Sequence, residues 1–198
     1  MNWKILFNPF EKYSEKTLLI FGIVATLLGS FLGYLMNARF DGIVDMHLVR
    51  EVQFQTILID NIINTLVLFI LFFVFGKIIN PKTRAIDMLN VSMICRIPMY
   101  LVVLGNIGGY LERATQSMLN GIDLDNLQNI PQFEMLDLFV ILIFSVVSIG
   151  FLVWMIVLLW KGFKTATNTK RTRDIIIFIM LFILAEVLSK YLIGTFNF

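Results

Sequence analysis

The chain has 198 residues, 58% of them hydrophobic and 15% charged, with a formal net charge of +2 and one cysteine. Its mean hydropathy is +0.83; a soluble domain, with ~45–50% apolar residues, would not gather them into uninterrupted runs long enough to cross a bilayer. The near-balanced charge excludes a basic nucleic-acid-binding surface, and a lone Cys95, set in an apolar run, excludes an internal disulfide and reads as a small buried hydrophobe.

The opening MNWKILFNPFEKYSEKT is short and amphipathic. Asn8-Pro9-Phe10-Glu11 has the order of a helix start, with Asn as cap and Pro at the first helical position. Trp3, Ile5, Leu6, Phe7 and Phe10 can lie at headgroup level while Lys4, Lys12 and Lys16 face water and anionic lipid. An ordinary juxtamembrane tail is the alternative. The first span is expected at about 18–36 and is too long for a signal-peptide core, so it is expected to stay in the mature protein. Ala25, Gly29 and Gly33 recur every four residues along it, a small-residue stripe that lets another helix approach closely, within the chain or in a second copy.

Residues 37–55 hold Asp41, Asp45, His47 and Glu51, side chains able to ligate a hard or borderline metal. Their spacing matches no established site and Arg39 and Arg50 interleave, so a solvated loop or surface helix is expected, with no metal. The second span, about 57–79, is rich in Phe and carries Asn61 and Asn64 near one end, in reach of water or a neighbouring helix. A tight basic turn at Asn80-Pro81 follows. The third span, about 86–111, is unusual: Arg96 and Pro98 stand in its middle. Pro98 removes a backbone hydrogen bond and should kink the helix, and an intramembrane Arg is expensive unless it pairs, snorkels or faces water. A polar, acidic loop is expected over 112–132. The fourth and fifth spans, about 135–160 and 174–196, flank a basic loop with Lys161, Lys164, Lys170, Arg171 and Arg173, and Glu186 and Lys190 interrupt the fifth.

Orientation follows from charge. With the N-terminus inside, the inner segments hold eleven Lys and Arg and the outer ones only Arg39, Arg50 and Arg113, as Lys/Arg retention on the cytoplasmic side requires. Tyr34, Tyr110 and Tyr191 then share the outer interface. The expectation is one all-α integral membrane domain over 1–198, a bundle of five transmembrane helices with a cytoplasmic N-terminus and an outer C-terminus. At ~1.5 Å per residue, Arg96 lies ~15 Å beyond Ile86 and Glu186 ~18 Å beyond Asp174, both near the midplane. Glu186 precedes Lys190 by one helical turn, the favourable order. Arg96 is therefore expected to pair with Glu186, with Lys190 sharing the carboxylate. Such a cluster either fixes how two helices dock or lines a polar, ligand-binding cavity opened by the Pro98 kink.

No phosphate-binding glycine loop, zinc-protease helix or nucleophile–base pattern is present, so no catalysis and no cofactor are expected. Three stretches together resemble the Yip family, the Ypt/Rab-interacting integral membrane proteins. They are Asn8-Pro9 ahead of the first span; Asp87-Met-Leu-Asn-Val-Ser-Met-Ile-Cys-Arg-Ile-Pro98 in the third; and Val153-Trp154 leading through Leu158-Leu-Trp-Lys-Gly162-Phe-Lys into a basic loop and a last span. The resemblance covers essentially the whole chain and implies the five-helix, N-inside topology that the charges give independently. Eukaryotic members carry a long cytosolic tail, whereas here only a short segment precedes Leu18. A Rab-binding or vesicle-transport role is accordingly not expected, and the chain is more similar to short bacterial members of the inner (plasma) membrane. The leading functional expectation is a non-enzymatic protein that organises or assists other membrane components. It would contact the lipid bilayer and a membrane-protein partner or second copy, and no nucleic acid. The alternative is a transporter or permease subunit using the Arg96/Glu186 region.

Overall fold

The computed structural model describes residues 3–120, 134–169, 171 and 173–195. Helix α1 (Trp3–Phe7) and a 3-10 turn (Pro9–Glu11) lead into α2 (Glu15–Leu35). Two short antiparallel strands, β1 (Ala38–Arg39) and β2 (His47–Leu48), form a hairpin before α3 (Phe54–Ile79). The third crossing is assembled from α4 (Ala85–Ile94), α5 (Ile97–Val102) and a 3-10 stretch (Val103–Gly109). Then come α6 (Tyr110–Asn120), α7 (Met135–Thr167) and α8 (Arg173–Thr195). Among the described residues, five helical segments are long and apolar enough to cross a membrane, and helices satisfy their own backbone there. The chain is an all-α, multi-pass membrane protein.

Polar contacts tie the helix ends into two levels. At the basic end, Arg84 pairs with Glu15, Asn80 Nδ2 donates to the Thr167 carbonyl at 3.2 Å, and Thr169 donates to the buried Asp174. At the opposite end, Asn106 Nδ2 donates to the Met36 carbonyl at 3.0 Å and the Tyr110 hydroxyl to Asp137 Oδ1 at 3.3 Å. Between them, α4 and α5 run through the middle of the bundle, with α2, α3 and α7 around them, and α8 lies outside, against α3.

The Phe-rich middle of α3 becomes the core of the basic half. Phe75 stacks on Phe163 with centroids 5.6 Å apart, and Phe72 meets Phe163 and Phe178 edge-on at 5.7 and 5.3 Å. Such aromatic pairs add ~0.5–1.5 kcal/mol each beyond area burial. By contrast α7, 33 residues long, carries Leu142, Val146, Ile149 and Val153 more than half exposed. An apolar face of that extent is incompatible with water and belongs to hydrocarbon or a neighbouring protein.

The small-residue stripe of α2 packs within the chain at two of its three expected positions. Gly29 faces the Tyr100 ring, Gly33 faces the Ala38 carbonyl and Ile57, and Gly22, not Ala25, meets Met93. Ala25 is only half-buried. A Cβ at position 29 would overlap the Tyr100 ring, so Gly29→Ala is expected to lower stability by about 1–3 kcal/mol, the usual penalty for overpacking, as read by thermal unfolding in nanodiscs.

Pro98 does more than kink. It is the second residue of α5, and α4 ends at Ile94, whose carbonyl Pro98 can neither bond nor clear. The crossing is therefore two helices with Cys95 and Arg96 as the joint. Further on, Gly108 and Gly109 take positive φ of 69° and 68°, a left-handed pair that only glycine adopts freely. They turn the chain into α6, whose Leu111 and Ala114 are buried.

Three other expectations are corrected. Asn8 makes no side-chain cap and only a 3-10 turn follows it; the working cap is Ser14, whose hydroxyl accepts from Thr17 N at 3.2 Å. Residues 112–120, expected as loop, belong to amphipathic α6, while 121–133 lie outside the described residues. The basic loop is shorter than expected, because α7 continues to Thr167 and ends on a left-handed Asn168 with φ 53°. Lys161 and Lys164 stand exposed on its last turns, Arg171 and Arg173 are exposed beyond it, and Lys170 lies outside the described residues.

Candidate functional site

The segment after α2, expected as a solvated loop, instead folds back into the bundle. Asn37 reverses the chain in the left-handed region, φ 50°, which Asn tolerates, and its carbonyl accepts from Val49 N at 2.8 Å. Between the two strands the tip dips among the helices: Phe40 and Ile43 are each 1% exposed, and Ile43 packs with Leu68, Phe72, Met88 and Cys95. Non-helical backbone at membrane depth survives only where protein satisfies its polar groups. That requirement explains the buried polar residues around the tip.

From α3, Asn64 donates Nδ2 to the Phe40 carbonyl at 2.9 Å and accepts from Ser189 of α8 through Oδ1. One turn earlier, Asn61 donates to Ser30 of α2 at 2.9 Å and accepts from Arg96 Nη2 at 2.9 Å. Arg96 is fully enclosed, at 0% exposure. Its Nη1 donates to the Ile43 carbonyl at 3.2 Å, and its Nε points to the Tyr100 hydroxyl at 3.4 Å, with the guanidinium 5.6 Å from that ring's centroid. The planar fork of Arg reaches three directions at once, and the joint at Cys95–Arg96 aims it at the hairpin.

Glu186 does not touch Arg96. Its Oε2 accepts from Val44 N at 3.0 Å and its Oε1 lies 3.4 Å from Lys190 Nζ, which also pairs with Asp45 at 2.5 Å. The expected Arg96–Glu186 ion pair is thus replaced by a longer relay. Arg96 holds the carbonyl of Ile43 and Glu186 holds the N–H of Val44, and these two atoms belong to one peptide unit. Guanidinium and carboxylate polarise that unit in the same sense, strengthening both hydrogen bonds. Gly42 lets the backbone come so close, since a Cβ there would sit 2.5 Å from Glu186 Oε1.

The hairpin mouth continues the network. Arg39 Nε and Nη2 reach the two Asp60 oxygens at 2.7 and 3.3 Å, a bidentate pair whose hydrogen bond raises the Arg39 pKa further against the opposing effect of burial. His47 Nδ1 lies 3.0 Å from Asp41 Oδ1. Arg39, Arg96 and Lys190 are thereby matched by Asp45, Asp60 and Glu186, each used within the protein. Among the described residues, no group of three or more His, Cys, Asp and Glu side chains is placed to hold a metal.

The structure brings Glu186 and Lys190 together, places Arg96 one peptide unit away, and sets the Pro98 break beside them. The basic residues Lys161, Lys164, Arg171 and Arg173 lie at the other end of the bundle. Sequence reasoning missed Ser30, Tyr100, Ser189 and the Ile43–Val44 peptide. Asn61 and Asn64, one helical turn apart in the Phe-rich span, were the available signal for the first and third. Nothing in the sequence marks a backbone amide as a partner.

Searches of curated proteins and of solved structures found no match. The model of the Yip1 domain matches residues 3–189, from α1 through the Glu186–Ser189 turn of α8 and thus across every helix that holds the hairpin. The chain belongs to the Yip1 domain family.

Proposed function

We propose that this protein is a non-enzymatic organiser of other membrane components, set in a bacterial inner membrane with its N-terminus and basic end in the cytoplasm. The observation that carries this reading is the enclosure of Arg96: its donors go to Asn61, Ile43 and Tyr100, so the intramembrane charge serves to lock the hairpin. A transporter would need that charge open to water and solute. What the bundle presents outward is the apolar flank of α7 and a cluster of exposed Lys and Arg at the basic end, surfaces suited to a membrane partner, a second copy or anionic lipid.

The test is extraction of the tagged protein in native lipid followed by mass spectrometry of what co-purifies. A stoichiometric protein partner supports the organiser reading. A lone protein that carries a small molecule lost on Arg96→Leu would move the assignment to transport. Orientation is checked separately with engineered cysteines. Lys82→Cys is expected to react with a membrane-impermeant maleimide only from the cytoplasmic side and Glu51→Cys only from the opposite side, with Cys95, at 0% exposure, silent in both. The reverse pattern would invert the topology.

A further inference from the structure

The N-terminal segment does not lie free on the membrane surface. Trp154 of α7 donates Nε1 to the Leu6 carbonyl at 3.0 Å, Phe7 meets the Trp154 ring edge-on at 6.4 Å, and Phe10 packs over Gly162. These contacts hold α1 and the 3-10 turn as an arch against α7, and beneath it is a cavity of about 480 Å³. Ile5 and Leu6 form one wall, Leu18 and Phe21 of α2 another, and Leu158 of α7 a third; Ile94 and Ile97, flanking the break beside Arg96, form the floor. The polar side chains of the lining are Tyr13, Thr17 and Trp154, and the Trp154 indole N–H is already spent on the Leu6 carbonyl.

We propose that this cavity is a lipid site that takes one hydrocarbon chain of an acidic phospholipid. The size falls within the ~300–1,000 Å³ of small-molecule sites, and a lining made mostly of Ile, Leu and Phe selects a chain over a polar solute. Charge beside the lining fixes which end of the lipid stays outside. Lys12 lies 5.6 Å from the Tyr13 ring centroid, Lys16 adjoins Thr17, and both are exposed. Lys161 sits one turn beyond Leu158 on the same α7 face, also exposed. Glu11 is the exposed acid of this stretch, while Glu15 is engaged by Arg84. Three exposed Lys next to the lining residues in sequence or one helical turn away favour a phosphate-bearing anionic headgroup. The inference concerns a ligand and stands independently of the organiser reading.

The full-length protein is reconstituted in nanodiscs with trace phospholipid bearing a photoreactive group in mid-chain. Its headgroup is phosphatidylglycerol in one arm and phosphatidylcholine in the other. Labelling is expected to concentrate on peptides spanning 5–21, 94–97 and 154–158, several-fold stronger in the acidic arm. Ile97→Trp, which fills the floor, is expected to reduce it several-fold, while Val146→Trp on the exposed flank of α7 leaves it unchanged. Lys12→Gln with Lys16→Gln, a surface change without consequence for folding, is expected to abolish the acidic preference. Even labelling over all lipid-facing residues, or focused labelling with no headgroup preference in the native protein, would overturn the proposal.

Discussion

Arg96→Leu is expected to destabilise the protein by about 2–4 kcal/mol. The substitution leaves the Asn61 Oδ1 and Ile43 carbonyl buried without a donor, each orphan costing ~1–3 kcal/mol. Removing a buried charge returns part of that, and partners found by the unfolded chain in the membrane reduce it further. Arg96→Lys is expected to recover only a fraction, because a single ammonium on a flexible stem cannot span Asn61, Ile43 and Tyr100 together. The informative variant is Arg96→Leu with Glu186→Leu. In a direct ion pair, deleting both partners relieves the unpaired charge that each single change leaves. In the arrangement seen here the two groups hold opposite ends of one peptide unit, so the double variant orphans both the Ile43 carbonyl and the Val44 N–H and is expected to be less stable than either single one. Denaturant titration in micelles, followed by tryptophan fluorescence, measures all four. Recovery of stability in the double variant would mean that the charges meet directly.

The helices were legible in the sequence because lipid imposes one rule, long apolar runs, and the chain obeys it in five places. The joint at Cys95–Arg96 was legible because Pro98 has one effect on the carbonyl four residues back. The depth of Arg96 and Glu186 was also readable, since rise per residue is constant in a helix. Their partners were not. Depth arithmetic gives height but not azimuth, and at the right height both charges meet one backbone peptide unit of a segment whose sequence, with Asp41, Asp45, His47 and Arg50, reads as solvated. Polar residues at both feet of a hairpin look the same in sequence whether its tip points to water or into the bundle. The distinguishing trace was weak: Phe40, Gly42, Ile43 and Val44 form an apolar, small-residue tip between the charged feet, matched by Asn61 and Asn64 in the span that follows. The small-residue stripe held at Gly29 and Gly33 and missed at Ala25 for a related reason. A four-residue spacing identifies a line, while Gly22, Thr26, Gly29, Ser30 and Gly33 together make up the buried face, met by Met93 at Gly22 and by Tyr100 at Gly29.

Glu186→Leu and Gly42→Val are expected to produce the same defect from opposite sides of one contact. Among the described residues Glu186 is the side chain bonded to the Val44 N–H, and with Lys190 and Ser189 it supplies the polar grip of α8 on the hairpin and α3. Leucine at 186 leaves a backbone donor buried and releases Lys190 from one of its two acids, an expected loss of about 2–3 kcal/mol. Glutamine keeps an acceptor at the same reach, so Glu186→Gln is expected to lose less than half as much. Gly42→Val acts through space alone. Its Cβ would stand 2.5 Å from Glu186 Oε1, so the carboxylate must give up its place beside the Val44 N–H and the tip loses that anchor. Withdrawal of the tip is visible at Ile43, 1% exposed in the folded protein. In an Ile43→Cys background, a water-soluble maleimide is expected to react slowly with the parent, slowly with Glu186→Gln, and rapidly with Glu186→Leu and Gly42→Val. Slow labelling in all four would mean that apolar packing of Phe40 and Ile43 holds the hairpin without the carboxylate. Rapid labelling confined to Gly42→Val would assign the effect to steric displacement and leave the Glu186 hydrogen bond a bystander.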